Sequence, residues 1–271
     1  MSKFEKGDFN IWTDPYIQKG LLYTQLNDSI AGGGHSKEQN NKILEWLYSY
    51  LENKHLKILD LGSGNGYLAN KLASLGHKVI GIDINKIAIN YSKNHIPQGT
   101  DITFLKRNYK QRFPSKNFDT IFFMNDYSSL IPQEKDLLMR KINRSLKIGG
   151  EFIFDVFGFG LNEINKEKKD WMFSEPYSFF GRKENLVLHE LSYLTKENAW
   201  KEKYIIINKH CRIRKSVIYA FLYTKKTIKD YISHFGFELI DFNTDLAQYD
   251  LVGKNIKDFA YFIRIKKIKD I

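Results

Sequence analysis

The sequence predicts a Rossmann-like α/β fold built on a mostly parallel sheet, and three observations carry this prediction. Five short, nearly continuous apolar runs between residues 57 and 157 alternate with segments of helical periodicity. Such runs are typical of parallel strands that are buried on both faces. Three glycines at alternate positions, Gly62, Gly64 and Gly66, follow the first run, and the second run ends in Asp83.

The elements follow in order from these patterns. Strands are predicted at 57–61, 78–84, 102–108, 118–125 and 150–157, with helices near 66–75, 85–94 and 133–146. Before them, apolar residues at three- and four-residue intervals predict helices over 9–30 and 36–52. The joint between these helices is AGGGHS, which ends in a plausible helix cap at Ser36.

The alternation changes after residue 157. Three runs at 186–195, 201–210 and 212–223 predict antiparallel strands, and a helix at 227–237 and strands at 238–243 and 258–265 complete the chain. We therefore expect four parts, given in chain order: an N-terminal helical segment (1–55), an α/β core (56–157), an antiparallel β cap inserted after strand five (158–225), and the last helix and two strands of the core (226–271).

Composition narrows the class of protein. The chain has 271 residues, of which 42% are hydrophobic and 27% are charged, as in an ordinary globular protein. No apolar stretch approaches the roughly 20 residues that span a bilayer, and MSKFEKGDFN lacks the apolar run of a secretory signal. One cysteine, Cys211, leaves no internal disulfide. We expect a cytoplasmic protein, a monomer or homodimer, without membrane contact.

The net charge of +11 allows two interpretations. It could indicate a polyanionic partner such as RNA. Alternatively, lysines are spread over solvated faces, and this interpretation is favoured because the densest basic stretches, 209–215 and 263–269, alternate with apolar residues as exposed strand faces do. A nucleic-acid partner is therefore possible but not favoured.

The glycine run predicts a nucleoside site. Glycine has no Cβ, so a strand can turn sharply into a helix whose N-terminus faces a ligand. The spacing G-x-G-x-G differs from the dinucleotide fingerprint G-x-G-x-x-G, because residue 67 is tyrosine. Asp83 ends the next strand, where its carboxylate can accept both ribose hydroxyls. Alternatively, Asp83 only caps the helix that begins near Asn85.

Two motifs resemble the class I S-adenosylmethionine-dependent methyltransferases. They are D-L-G-S-G-N-G at 60–66 and G-I-D-I at 81–84, and L-K-I-G-G-E-F-I-F-D-V-F at 146–157 resembles the turn of that family into strand five. The resemblance implies a seven-stranded sheet whose last strand is antiparallel. It also implies an enzyme whose cofactor is S-adenosyl-L-methionine and whose product is S-adenosyl-L-homocysteine.

The resemblance assigns cofactor contacts by residue. Gly62, Ser63, Gly64 and Gly66 permit close approach of the methionine and ribose portions, and Asp60 orients the ammonium. Asp83 takes the ribose hydroxyls and Ile84 lies under the adenine. Asn108 stands where relatives usually have an acid, and its amide oxygen can still accept from the adenine amine, with Tyr109 supplying a backbone N–H. Asn125 and Asp126, which end the fourth strand, face the transferring methyl.

The first predicted helix offers a lid over the cofactor. Trp12, Tyr16, Lys19 and Tyr23 share one side at helical spacing. We expect Tyr16 or Lys19 to lie near the cofactor carboxylate. The alternative is an ordinary amphipathic helix that packs on the sheet.

Three residues are candidates for a general base. His189 lies in the predicted cap, which would roof the acceptor pocket, and an imidazole titrates near neutral pH. Asp126 and Tyr127, which follow the fourth strand, are its rivals. A lone histidine on a strand is, however, more often structural than catalytic.

The reaction expected is transfer of a methyl group to nitrogen or oxygen of a small molecule by in-line displacement. No metal-ligand spacing occurs, Cys211 is not in a Pro-Cys setting, and NDYS replaces the Asn/Asp-Pro-Pro-Tyr motif of base amine methylation. The alternatives are an RNA or protein methyltransferase, or a non-catalytic regulator that binds S-adenosylmethionine.

Overall fold

The computed structural model describes residues 4–27, 34–52, 55–246, 250–251 and 254–271. Within these residues the helices are α1 Gln18–Leu26, α2 Lys37–Leu51, α3 Tyr67–Ser74, α4 Lys86–Asn94, α5 Pro132–Ser145, α6 Leu161–Ile164 and α7 Lys225–Ser233. The strands are β1 Lys57–Leu61, β2 Lys78–Asp83, β3 Ile102–Lys106, β4 Phe118–Phe123, β5 Leu146–Gly158, β6 Lys168–Ser174, β7 Asn185–Leu194, β8 Ala199–Ile207, β9 Ile213–Tyr223, β10 Phe237–Asn243, β11 Asp250–Leu251, β12 Lys254–Asn255 and β13 Ala260–Lys267.

The central sheet has seven strands in the order β3-β2-β1-β4-β5-β13-β10. The first five are parallel, and β13 runs antiparallel to both of its neighbours. The predicted fold class is therefore confirmed. Leu61 pairs with Ile82 of β2 and with Phe123 of β4, so the loops that follow these three strands meet at one edge of the sheet.

Both faces of the sheet are buried, as the apolar runs predict. One face packs on α5 and α7 through residues such as Leu59, Phe123 and Ile142. The other packs on α2 and α3, where Leu47 and Leu72 are fully buried. Burying an aliphatic side chain of this size stabilises the fold by roughly 1.5–3 kcal/mol relative to exposing it.

Strands β6 to β9 form an antiparallel sheet after β5. This sheet joins the central one through a short parallel contact between β5 and β9. Three of its strands were predicted from the sequence, whereas β6 was not. The inner face of the cap sheet, defined by Val187, Tyr204 and Ile206, packs on Ile11 and Leu21 of the N-terminal segment.

The first predicted helix, 9–30, is wrong in extent. Helix α1 begins only at Gln18, because the carboxylate of Asp14 accepts hydrogen bonds from the backbone N–H groups of Tyr16 and Ile17 and holds a turn there. Residues 28–30 of that prediction and 31–33 of the glycine-rich joint lie outside the described residues. The cap predicted at Ser36 is confirmed, since its hydroxyl accepts from the N–H of Gln39.

A search for membrane-spanning helices among the described residues finds none of sufficient length and apolar character.

Candidate functional site

A cavity of about 480 Å³ lies at the carboxyl ends of β1, β2 and β4. Its floor is formed by loops of the central sheet, and its roof by the N-terminal segment and β9. Residues that line it include Phe9, Trp12, Leu21, Gln25, Gly62, Asp83, Ile84, Asn108, Tyr109, Met124, Asn125, Asp126, Glu134 and Tyr219. This edge is where open α/β sheets bind their ligands.

A second, smaller cavity of about 80 Å³ adjoins the glycine loop. It is lined by polar groups that include His35, Asn40, Asp60, Ser63 and Asn65. Gln25, Gly34, Gly62, Met124 and Asn125 border both cavities. The two spaces therefore form one site with a large compartment and a polar end compartment.

Two of the three glycines face this site. Gly62 has a φ of +70°, and a Cβ on it would lie 3.2 Å from an Asp126 carboxylate oxygen. Gly64 has a φ of +52°, and its Cβ position lies 3.2 Å from the amide of Gln25. Left-handed backbone is strained for other residues, so only glycine keeps both the turn and the open space.

Gly66 has a different role from the one predicted. It lines neither cavity, and a Cβ on it would lie 2.7 Å from the ring of Phe104 and 2.9 Å from the side chain of Ser92. Gly66 therefore permits close packing between the start of α3, β3 and α4 rather than contact with a ligand.

The side chain of Asp83, at the end of β2, hydrogen-bonds to the glycine loop. One carboxylate oxygen accepts the Gly64 N–H at 2.9 Å, and the other accepts the Asn85 N–H at 2.6 Å. Asp83 is not the cap of α4, because the side chain of Asn85 itself accepts from the first turn of that helix. Asp83 also borders the large cavity. Burial raises its pKa.

Two further carboxyl groups at the site, those of Asp60 and Asp126, have raised pKa values. Burial, and secondarily the charge of Asp83, raises the pKa of Asp60 to about 8. Burial also raises the pKa of Asp126 to about 7, with smaller contributions from Asp83 and Asp155. Near neutral pH the carboxyl groups of Asp60 and Asp126 are therefore partly protonated. A positively charged ligand bound beside them would favour the loss of these protons.

A buried pair at the end of β5 positions the loop after β4. Asp155 accepts the N–H of Asn125 at 2.6 Å, and its other oxygen lies 3.2 Å from Nε2 of His35. Asn125 has a φ of +72°, which this hydrogen bond holds in place. Sequence analysis treated His35 only as part of a flexible joint and missed this contact.

The residues predicted to meet the adenine, Ile84, Asn108 and Tyr109, all border the large cavity. The amide oxygen of Asn108 already accepts the N–H of Lys110 at 2.8 Å. A second lone pair remains on that oxygen, so it can also accept from an amine.

Tyr16 and Lys19 do not lie where the sequence analysis placed them. The hydroxyl of Tyr16 is 3.5 Å from the amide oxygen of Asn185 in the cap, and Lys19 is exposed above the ring of Tyr177. Helix α1 does lie over the glycine loop, but Leu21 and Gln25 face the site, and the Gln25 carbonyl accepts from Asn65. Their four-residue spacing was a signal that could have found them.

Two of the three base candidates lie outside both cavities. Tyr127 is fully buried in the core. His189 lies between two acids of the cap, with Nε2 2.9 Å from Glu202 and Nδ1 3.2 Å from Asp170, and its ring stacks on Tyr204. Only Asp126 borders the site. The predictions for Tyr127 and His189 are therefore not supported by the geometry.

We predict that His189→Ala affects stability rather than turnover. The turnover number should stay within about twofold of the wild type, whereas the free energy of unfolding should fall by about 1–3 kcal/mol because contacts with two acids and a stacked ring are lost. Urea unfolding and initial rates measure both quantities. His210→Ala, an exposed turn residue, is the control for stability, and a large loss of turnover in His189→Ala alone would contradict this assignment.

The polar end compartment fits the methionine portion of the predicted cofactor. The Gln25 amide oxygen and the Ser63 hydroxyl are buried there without a hydrogen-bond partner in the described part of the chain. An ammonium group can donate a hydrogen bond to the Gln25 amide oxygen, and a carboxylate can accept one from the Ser63 hydroxyl. Asp60, which the resemblance assigns to the ammonium, lines the same compartment.

A seven-stranded sheet of this order, with a glycine loop and two acids at its carboxyl edge, defines an α/β nucleoside-binding protein. The model of a family described as methyltransferase domain matches residues 52–213, more than half of the chain. The chain belongs to this family and is an S-adenosylmethionine-dependent methyltransferase. Its predicted enzyme class and cofactor are thereby confirmed.

Solved structures share the fold at low identity. The CcbJ methyltransferase from Streptomyces caelestis has a TM-score of 0.65 at 14% identity, covering 96% of this chain and 100% of that one. An S-adenosylmethionine-dependent methyltransferase from Clostridium acetobutylicum has a TM-score of 0.63 at 16% identity, with coverage of 94% and 99%.

The 1,6-didemethyltoxoflavin-N1-methyltransferase from Burkholderia thailandensis also matches, with a TM-score of 0.55 at 12% identity and coverage of 94% and 88%. The search of curated proteins finds no match.

Cofactor selectivity should depend on pH. As pH rises from about 6 to about 8.5, Asp60 and Asp126 lose protons, and the negative charge favours the sulfonium of S-adenosylmethionine over the neutral sulfur of S-adenosylhomocysteine. We expect the ratio of their affinities to shift about tenfold toward S-adenosylmethionine. Calorimetry with both compounds measures this ratio. Both compounds carry the same amino and carboxyl groups, so the effect of pH on these groups cancels in the ratio. A ratio independent of pH would contradict the assignment of these two acids.

Proposed function

We propose that this enzyme methylates a small molecule by in-line displacement, at an amine nitrogen in preference to an oxygen. The observation that carries the proposal is the position of Asp126, a half-buried acid that borders the large cavity beside Gly62. We place the reaction in the cytoplasm, in keeping with the single cysteine of the sequence.

The shape of the cavity supports a small acceptor. The adenosine portion of the cofactor shares the cavity volume of about 480 Å³, so the space left beside the cofactor is limited to a small acceptor. The N-terminal segment and β9 contribute four aromatic side chains to the lining of the cavity, Phe4, Phe9, Trp12 and Tyr219. Aromatic faces attract cations as well as apolar groups, so this lining suits an amine that arrives protonated.

The charges of the cavity favour nitrogen. When bound, S-adenosylmethionine supplies a methyl group on a positively charged sulfur, and the acceptor needs an aligned lone pair. Asp126 can hydrogen-bond an ammonium and take its proton, because the raised pKa of this carboxyl, about 7, lies near neutral pH. Lys110, one of the two lysines among the described residues that line the cavity, is paired with Glu134 at 2.6 Å.

A small acceptor beside the cofactor is compatible with this architecture. The Burkholderia enzyme that shares the fold is an N1-methyltransferase, and its structure holds 1,6-didemethyltoxoflavin together with S-adenosylhomocysteine. The acceptor of the present enzyme is inferred from its own cavity and not from this likeness.

A screen with methyl-labelled S-adenosylmethionine tests the proposal. The panel contains small aromatic and aliphatic amines, matched alcohols and phenols, bulk tRNA and a protein extract. We expect label to transfer to one or more small amines and much less to the matched hydroxyl compounds. Transfer to tRNA or protein with none to small molecules would overturn the proposal.

A further inference from the structure

The edge of the cap sheet carries an exposed apolar strand. In β6 every residue before Ser174 is exposed, and the side chains of Trp171, Met172 and Phe173 are 65%, 40% and 60% exposed. Trp171 and Phe173 lie on one face, with their rings in edge contact at 5.9 Å. Exposed apolar clusters of this kind mark interaction sites.

The outer backbone edge of this strand is open. β6 pairs with β7 over seven consecutive residues without a bulge, and no other strand among the described residues pairs with it. Its first half carries the charged residues Lys168, Lys169 and Asp170, and charges of this kind discourage an edge strand from pairing with another chain. Its second half, from Trp171 to Ser174, has no charge, no proline and no bulge.

We propose that two copies of this chain pair through β6, antiparallel and about a twofold axis at Met172. An open strand edge is self-complementary in this orientation, because each copy offers the same row of N–H and C=O groups. The paired strands extend the cap sheet of one copy into that of the other.

The side chains fit this register. With the axis at Met172, Trp171 lies opposite the partner subunit's Phe173, and the two symmetric pairs make a cluster of four aromatic rings. Cross-strand aromatic pairs of this kind stabilise sheets. Lys169 lies opposite the partner subunit's Glu175, so the charges at each end of the pairing are opposite. Both residues are exposed in the single chain.

The full chain at micromolar concentration tests the proposal by sedimentation velocity. We expect a species of about twice the chain mass of 31.9 kDa. Phe173→Lys should raise the dissociation constant of the dimer at least about tenfold, because it places charges in the ring cluster. Leu137→Lys, at a site that is 68% exposed on α5, is the matched control and should not change it.

A charge exchange tests the register. Lys169→Glu and Glu175→Lys should each weaken the dimer, and the double variant should restore it, because the opposite charges face each other again. Unchanged affinity for S-adenosylhomocysteine verifies the fold of each variant. A wild-type monomer at all concentrations, a double variant that is not restored, or binding of the Trp171 surface to anionic phospholipid vesicles in place of dimerisation would overturn the proposal.

Discussion

Replacing Asp83 with alanine is expected to weaken the binding of S-adenosylmethionine at least about 100-fold. Each hydrogen bond to a charged acceptor contributes about 1.5–3 kcal/mol, and the carboxylate borders the cavity in which the two ribose hydroxyls are expected. The substitution also releases the Gly64 N–H, which Asp83 now holds at 2.9 Å, and so loosens the loop that contacts the ligand.

Calorimetry with the purified variants measures this loss. Asp83→Asn should fall between the wild type and Asp83→Ala, because one acceptor oxygen remains. Asp101→Ala, at an exposed acid that pairs with Lys78 at the opposite end of the sheet, is the control and should bind normally. An affinity of Asp83→Ala within about threefold of the wild type would show that the carboxylate does not hold the ribose.

The second large effect is expected for Asp126→Asn, which should lower the turnover number about 100-fold with little change in the affinity for S-adenosylhomocysteine, whose sulfur is uncharged. Removing a general base typically costs a factor of about 100 to 10,000. The amide keeps the size of the side chain but cannot take the acceptor proton. Since the pKa of Asp126 is raised to about 7, the wild-type rate should rise with pH through neutrality, and the variant should lose this rise.

Rates at saturating acceptor across this pH range distinguish a base from a residue that only shapes the cavity. Asp230→Asn, at an exposed acid on α7, controls for the loss of one negative charge and should behave as the wild type. An Asp126→Asn enzyme that keeps both its rate and its pH dependence would remove Asp126 from the reaction.

The central sheet was predictable because its signals are local. Buried parallel strands are apolar throughout, and glycines end them where the chain must turn sharply. Predicted strand bounds at 57–61 and 78–84 differ from β1 and β2 by at most one residue. The resemblance to methyltransferases added the strand order, which periodicity alone does not give.

The cap and the N-terminal segment were harder to predict because their partners are distant in sequence. His189 lies on a strand face that periodicity cannot assign, and one of its acid partners, Asp170, belongs to β6, whose exposed KKDWMFS run gives no burial pattern. Tyr16 was assigned by helical spacing to a helix that begins only after the Asp14 turn. Gln25 and His35 reach the site through tertiary packing.

A crystal structure of the enzyme with S-adenosylhomocysteine tests the central claim most directly. We expect the ribose hydroxyls within hydrogen-bond distance of the Asp83 carboxylate, and the amino-acid portion in the polar compartment beside Gly62 and Asp60. Density for the ligand outside the two cavities, or with its ribose away from Asp83, would contradict this assignment of the site.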